Sequence, residues 1–100
     1  MEKRQFRVWY ARNPHFGFGP RPGKEKLKET HACLGTFRFL DLENGFCKMQ
    51  GEIWSPHGEA RELIRSLGLR HTSMSVGDVL EDVETGEFWL VENIGFSELK

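Results

Sequence analysis

The sequence predicts an α+β domain: an antiparallel sheet of about five strands with two short helices packed on one face, in the order ββααβββ. Three observations predict it. Strand-like alternation opens the chain and returns in its last third. Two helical periods, each followed by a glycine, lie between those β regions. One hundred residues leave room for one core, so residues 1–100 are expected to form a single domain.

The elements follow in order. In "RQFRVWY", Phe6, Val8 and Tyr10 share one parity while Arg7 and Trp9 take the other, which predicts a strand. The next stretch, "ARNPHFGFGPRPGKEKLKE", spans residues 11–29 and combines glycines, prolines and cations. At that density regular structure is not expected, and a basic loop is. "THACLGTFRFL" reads as the second strand. Ala32 and Leu34 share one parity and Phe37 and Phe39 the other, so a bulge at Gly35 would turn both pairs to the core.

"DLENGFCKMQG" predicts a short helix with Asp41 as its cap, Leu42, Phe46 and Met49 on its apolar face, and Gly51 at its end. Gly45 in its interior costs about 1 kcal/mol relative to alanine. "SPHGEARELIRSLG" predicts the second helix. Ser55 is its N-cap, Pro56 its first residue, and Ala60, Leu63, Ile64 and Leu67 its buried face, with Gly68 just beyond the end. Glu59 and Glu62 near its start and Arg65 near its end suit the helix dipole. "SVGDVLEDV" and "EFWLV" then form a hairpin across "ETG", where Gly86 takes a positive φ, and "IGFSEL" adds a last short strand.

Composition narrows the function classes. No apolar run approaches the roughly 18–20 residues that cross a bilayer, so no membrane partner is expected. "MEKRQFRVWY" lacks the features of a secretory signal, which points to the cytoplasm. Cys33 and Cys47 are not in a CxxC or Cys/His pattern and are expected to be small buried side chains. His15, His31, His57 and His71 are scattered, so neither a metal nor a cofactor is expected. Residues 1–50 carry ten Lys or Arg against five Asp or Glu, a balance of +5; residues 51–100 carry four against ten, a balance of −6. Such a split marks either a surface that steers partners or two halves whose charges pair within one sheet.

"RHTSMSVGDVLED", residues 70–82, admits two readings. Arg70, His71, Thr72, Ser73 and Ser75 supply charge and donors suited to an anion. The same hydroxyls also suit a helix-to-strand crossing, where they satisfy backbone groups that the turn leaves unpaired. The stretch reads mainly as scaffold, with Asp78 accepting bonds from nearby amides or pairing with an arginine, and an acidic end that solvates one side of the strand. No GxSxG or comparable elbow is present, so catalytic residues are not expected.

On these residues rests a resemblance. "SMSVGDVLED…GEFWLVENIGF" resembles the C-terminal signature of YodL-like domains over about residues 71–99, carried by Ser73, Ser75, Val76, Asp78, Val79, Trp89, Gly95 and Phe96. Met74 stands where that signature often has leucine, and Gly77 where it often has serine. "MQGEIWSPHGEARELIRSLGLRHTSMSVGDV" is also similar to small proteins of phages, plasmids and other mobile elements. The resemblance implies a context, some such domains being linked to evading host defences or redirecting host machinery. Residues 1–50 share none of it.

The expected function is therefore a non-enzymatic accessory protein that binds and modulates a host protein. Its expected contact set is Arg12, Phe16, Phe18, Arg21, Lys24 and Lys26 of the basic loop, with Trp54 nearby. Trp54 is itself expected to plug the core beneath a glycine-rich connection. The alternative partner is a nucleic acid or small nucleotide, held by the loop's cations and aromatic faces or by Arg70–Ser75.

Overall fold

Alternation in the opening residues becomes β1, Arg4–Ala11, whose Phe6, Val8 and Tyr10 are buried on one face of the sheet. The structure is a computed structural model, and it describes residues 2–13, 22–51, 54, 57 and 59–100. The remaining strands are β2 (His31–Phe39), β3 (Val79–Asp82), β4 (Phe88–Val91) and β5 (Phe96–Leu99). They form one sheet in the order β2-β1-β3-β4-β5, and every neighbouring pair is antiparallel. Since β2 and β3 both run against β1, they are parallel to each other. The chain must cross over β1 to join them, and a helical connection does so.

That connection is α2 (Leu42–Lys48) followed by α3 (Glu59–Ser66). Asp41 caps α2, its side chain accepting from the Asn44 amide at 2.8 Å. The end of α3 is a Schellman turn: the Gly68 amide donates to Arg65 at 3.0 Å and the Leu69 amide to Ile64 at 2.9 Å. Gly68 takes the left-handed φ of 72° that the turn requires. Ser55 and Pro56, expected to open α3, lie outside the described residues.

The bulge at Gly35 is present. Val8 pairs with Gly35 and Trp9 with Cys33, so Leu34 is the extra residue on β2. Ala32 and Leu34 before the bend, and Phe37 and Phe39 after it, all reach the same core. That core lies under the helices and gathers Phe6, Val8, Tyr10, Met49, Ile64, Met74, Leu80 and Val91.

A second, smaller cluster covers the reverse face: Trp9, Leu27, Val79, Leu90 and Leu99. It also orders part of the basic loop. The stretch from residue 11 to 29 is not structureless where it is described. β1 reaches Ala11, residues Lys24–Lys26 make a 3-10 turn, and α1 spans Leu27–Thr30. Leu27 is buried in the reverse-face cluster, and the Arg12 amide donates to Thr30 at 2.9 Å, so an apolar anchor and a backbone tie order this segment. Among the described residues three short helices therefore stand where two were expected.

Two further expectations fail. Cys33 is only half-buried, and Cys47 is exposed. α2 turns Leu42, Gly45 and Phe46 inward, which leaves Cys47 on its outer side. The acidic end of β3 is not solvated either. All four residues of β3 are buried, because β1 and β4 flank it and both faces are covered. Glu81 accepts from Arg7 at 3.0 Å and from the Trp9 indole at 3.1 Å, while Asp82 pairs with Arg4. The oppositely charged halves of the sequence thus meet between adjacent strands.

Candidate functional site

Three places hold the residues singled out in the sequence. The first is the crossing from α3 to β3. A strand does not begin at Ser75 as expected; residues 75–78 form a turn, with the Asp78 amide donating to Ser75 at 3.0 Å and Gly77 at φ 99°. The turn delivers Asp78 to the interior, where 1% of it is exposed. One of its oxygens accepts from the Ala11 amide at 2.8 Å. The other accepts from the Ser75 amide at 2.8 Å and faces His71 Nε2 at 3.0 Å.

A carboxylate only accepts, so Nε2 of His71 carries the proton in that contact. The imidazole stacks on the Tyr10 ring with centroids 4.8 Å apart and planes 10° from parallel. The Tyr10 hydroxyl donates to the Thr72 carbonyl at 2.7 Å. Burial, and then the charge of Asp78, raise the Tyr10 phenol well above its ordinary value. His71 Nδ1 is buried and has no hydrogen-bond partner among the described residues.

His31 completes the cluster from β2. Its Nε2 lies 2.7 Å from the Gly77 carbonyl and its Nδ1 2.8 Å from the Thr30 hydroxyl. The carbonyl can only accept, so the imidazole donates from Nε2 and accepts at Nδ1. Burial lowers the His31 pKa below the usual imidazole value.

The segment is thus occupied with its own bonding. Ser73 Oγ accepts from the Gly51 amide, Ser75 Oγ donates to the Ser73 carbonyl at 3.3 Å, and His71 points at Asp78. Arg70 alone of the five anion candidates is exposed, and Thr72 makes no side-chain bond to a described residue. The structure therefore divides Arg70 and Thr72 from His71, Ser73 and Ser75.

The second place is the described part of the basic arm. Arg12, Lys24, Lys26 and Lys28 are all exposed. Arg12 Nη2 lies 3.4 Å from the Lys28 carbonyl, which joins the end of β1 to α1 in one cationic band. Glu25 and Glu29 interrupt it. Phe16, Phe18 and Arg21 lie outside the described residues. Trp54 does not join the band. It packs edge-on to Phe37 at 6.0 Å, against the helix-side core, and its indole donates to the Thr72 carbonyl at 3.0 Å. Leu27, which anchors the lysines, belongs to the reverse-face cluster.

The third place was not singled out from sequence. Arg61 and Arg65 of α3 line a surface depression together with Arg70 and Thr72. The signal was present in the i,i+4 spacing of Arg61 and Arg65, which stacks both on one helix face. What the spacing does not contain is the tight turn at Gly68 that folds Arg70 back beside them.

Among the described residues no three His, Cys, Asp or Glu side chains converge as metal ligands, and no helix is long and apolar enough to cross a membrane. Compared with known proteins, the chain matches no family model, no curated protein and no solved structure.

Proposed function

We propose that this chain is a non-enzymatic accessory module that binds a host protein and alters its action, in the mobile-element setting that its C-terminal resemblance implies. The observation that carries this reading is the outward band of Arg12, Lys24, Lys26 and Lys28 on a short, anchored helical segment. The polar groups of the α3–β3 crossing support it from the other side. Asp78, His71, His31 and Tyr10 are bonded to one another or to backbone, and the service they perform is holding β1, β2 and the crossing together.

Glu25 and Glu29 within the band favour a protein surface of mixed charge over a polyanion, which would be repelled at both positions. Nucleic-acid or nucleotide binding remains the alternative class, and salt separates the two. A polyanion partner predicts a steep loss of affinity with rising salt, a protein partner a shallow one.

The test is affinity purification of the tagged chain from its native host followed by mass spectrometry. The triple variant Lys24→Glu, Lys26→Glu, Lys28→Glu is expected to lose the captured protein while its melting temperature stays within about 2 °C of the parent, since exposed substitutions change stability little. A second variant, with Phe16, Phe18 and Arg21 changed to alanine, is expected to lose the captured protein as well. Capture undiminished in both variants overturns the reading.

A further inference from the structure

We infer that the depression between α3 and residues 68–72 is a docking site for an acidic protein segment, one that presents an apolar residue flanked by carboxylates. The inference rests on the protein-binding reading above but concerns a different surface.

The depression has a volume of about 450 Å³. Its floor is Ile64 and Leu69, both buried members of the helix-side core, and its rim carries Arg61, Arg65 and Arg70 with Thr72. The walls are fixed by structure that serves the fold. The Schellman turn at Gly68 reverses the chain, so that Arg70 and Thr72 return alongside α3. The Thr72 carbonyl is then pinned twice, by the Tyr10 hydroxyl at 2.7 Å and the Trp54 indole at 3.0 Å. A site held this way loses little conformational freedom when it is filled.

Charge selects the occupant's chemistry. Neither Arg65 nor Arg70 lies within ion-pair distance of a described carboxylate, so their guanidinium forks are available to an anion. Guanidinium pairs with carboxylate or phosphate through two parallel hydrogen bonds, and the Thr72 hydroxyl adds a third donor.

Shape then decides between a small molecule and a chain segment. Small-molecule sites enclose roughly 70–90% of the ligand's surface, and this depression lies open on the outer side of the turn. An occupant must draw affinity from contacts beyond the rim, as a peptide segment does. Nucleic acid is disfavoured, because none of the described residues lining the depression is an aromatic that could stack a base. The same helix also carries Glu59 and Glu62, and residues 51–100 have a balance of −6, which opposes a long polyanion more than two or three carboxylates.

The probe is a short fluorescein-labelled peptide with a central leucine flanked by aspartate and glutamate, read by fluorescence anisotropy against the full chain. Its controls are the same peptide with Asn and Gln in place of the acids, and a labelled oligo(dT). Saturable binding of the acidic peptide is expected, weakened by about tenfold or more in Arg65→Glu/Arg70→Glu and by a smaller factor in Arg65→Gln/Arg70→Gln. The Lys24/Lys26/Lys28 variant is expected to bind it normally. No binding, equal binding of the neutral peptide, preference for oligo(dT), or affinity unchanged in the arginine variants overturns the inference. Should the arginine variants alone fail to matter while the lysine variant still loses its host protein, the inference falls and the broader reading stands. If the lysine variant and the Phe16, Phe18 and Arg21 variant both keep their host protein but peptide binding depends on Arg65 and Arg70, the basic band falls as the contact surface and the inference stands.

Discussion

At Asp78 two backbone amides and an imidazole converge on a carboxylate that solvent scarcely reaches. His31 stands close by, held neutral between the Thr30 hydroxyl and the Gly77 carbonyl. Desolvation is the main cause of its lowered pKa, with the Arg12 charge acting in the same direction and the Gly77 carbonyl and Asp78 acting against it. The sign of the linkage follows. In the unfolded chain this histidine takes up a proton near pH 6.5, whereas the folded chain takes it up only at lower pH, so the unfolded state binds more protons in the window below about 6.5. Stability is therefore expected to be full above that value and to decline as pH falls beneath it. Urea midpoints measured from pH 7.5 down to 5.5 are expected to drop less steeply in His31→Gln, which keeps a donor for Gly77 but cannot titrate. An identical slope in both proteins would remove His31 as the cause.

At the scale of elements, α2 contains a glycine that sequence reasoning treats only as a cost. A Cβ on Gly45 would sit 2.8 Å from Phe39 Cδ2 and 3.2 Å from Phe39 Cγ, and Phe39 is buried, so its ring has little room to move. Gly45→Ala gains about 1 kcal/mol of helix propensity but overpacks a filled core, which costs about 1–3 kcal/mol. The expected net effect is a loss of about 1 kcal/mol in denaturant unfolding, largely abolished in a Phe39→Leu background because the two sites share one contact. A more stable Gly45→Ala would contradict the packing. Local pattern revealed the Asp41 cap, the Gly35 bulge and the Gly68 turn, since each depends on residues a few positions apart. It could not reveal Gly45 against Phe39, Leu27 beneath the reverse face, or Glu81 under Trp9, since each depends on which strands become neighbours.

For the molecule as a whole, β1 is the seam. It is hydrogen-bonded to β2 on one side and β3 on the other, and it carries Arg4 and Arg7 to the buried acids of β3. A variant lacking residues 2–11 is expected to lose cooperative thermal unfolding altogether. One lacking Phe96–Lys100, the edge strand and its tail, is expected to keep a transition at lower temperature. Cooperative melting in the first variant would show that the rest of the sheet closes without β1. Fold class was legible because it needs only the succession of strands and helices. The candidate surfaces were legible in part: exposed cations announce themselves in composition, but Trp54 was placed beside the arm without knowledge that the sheet separates it from Leu27, which anchors the arm's described lysines. The arginine-lined depression needed both a helix and the turn after it.

The order of strands also bears on how the chain is made. Among the sheet's strands β1 is made before the others, yet β3, one of the two partners it requires, emerges about 70 residues later, a delay of several seconds at usual elongation rates of about 5–20 residues per second. Through that interval Phe6, Val8, Trp9 and Tyr10 have only β2 beside them, and the basic side chains of Arg4 and Arg7 keep the waiting ribbon hydrated until Glu81 and Asp82 arrive.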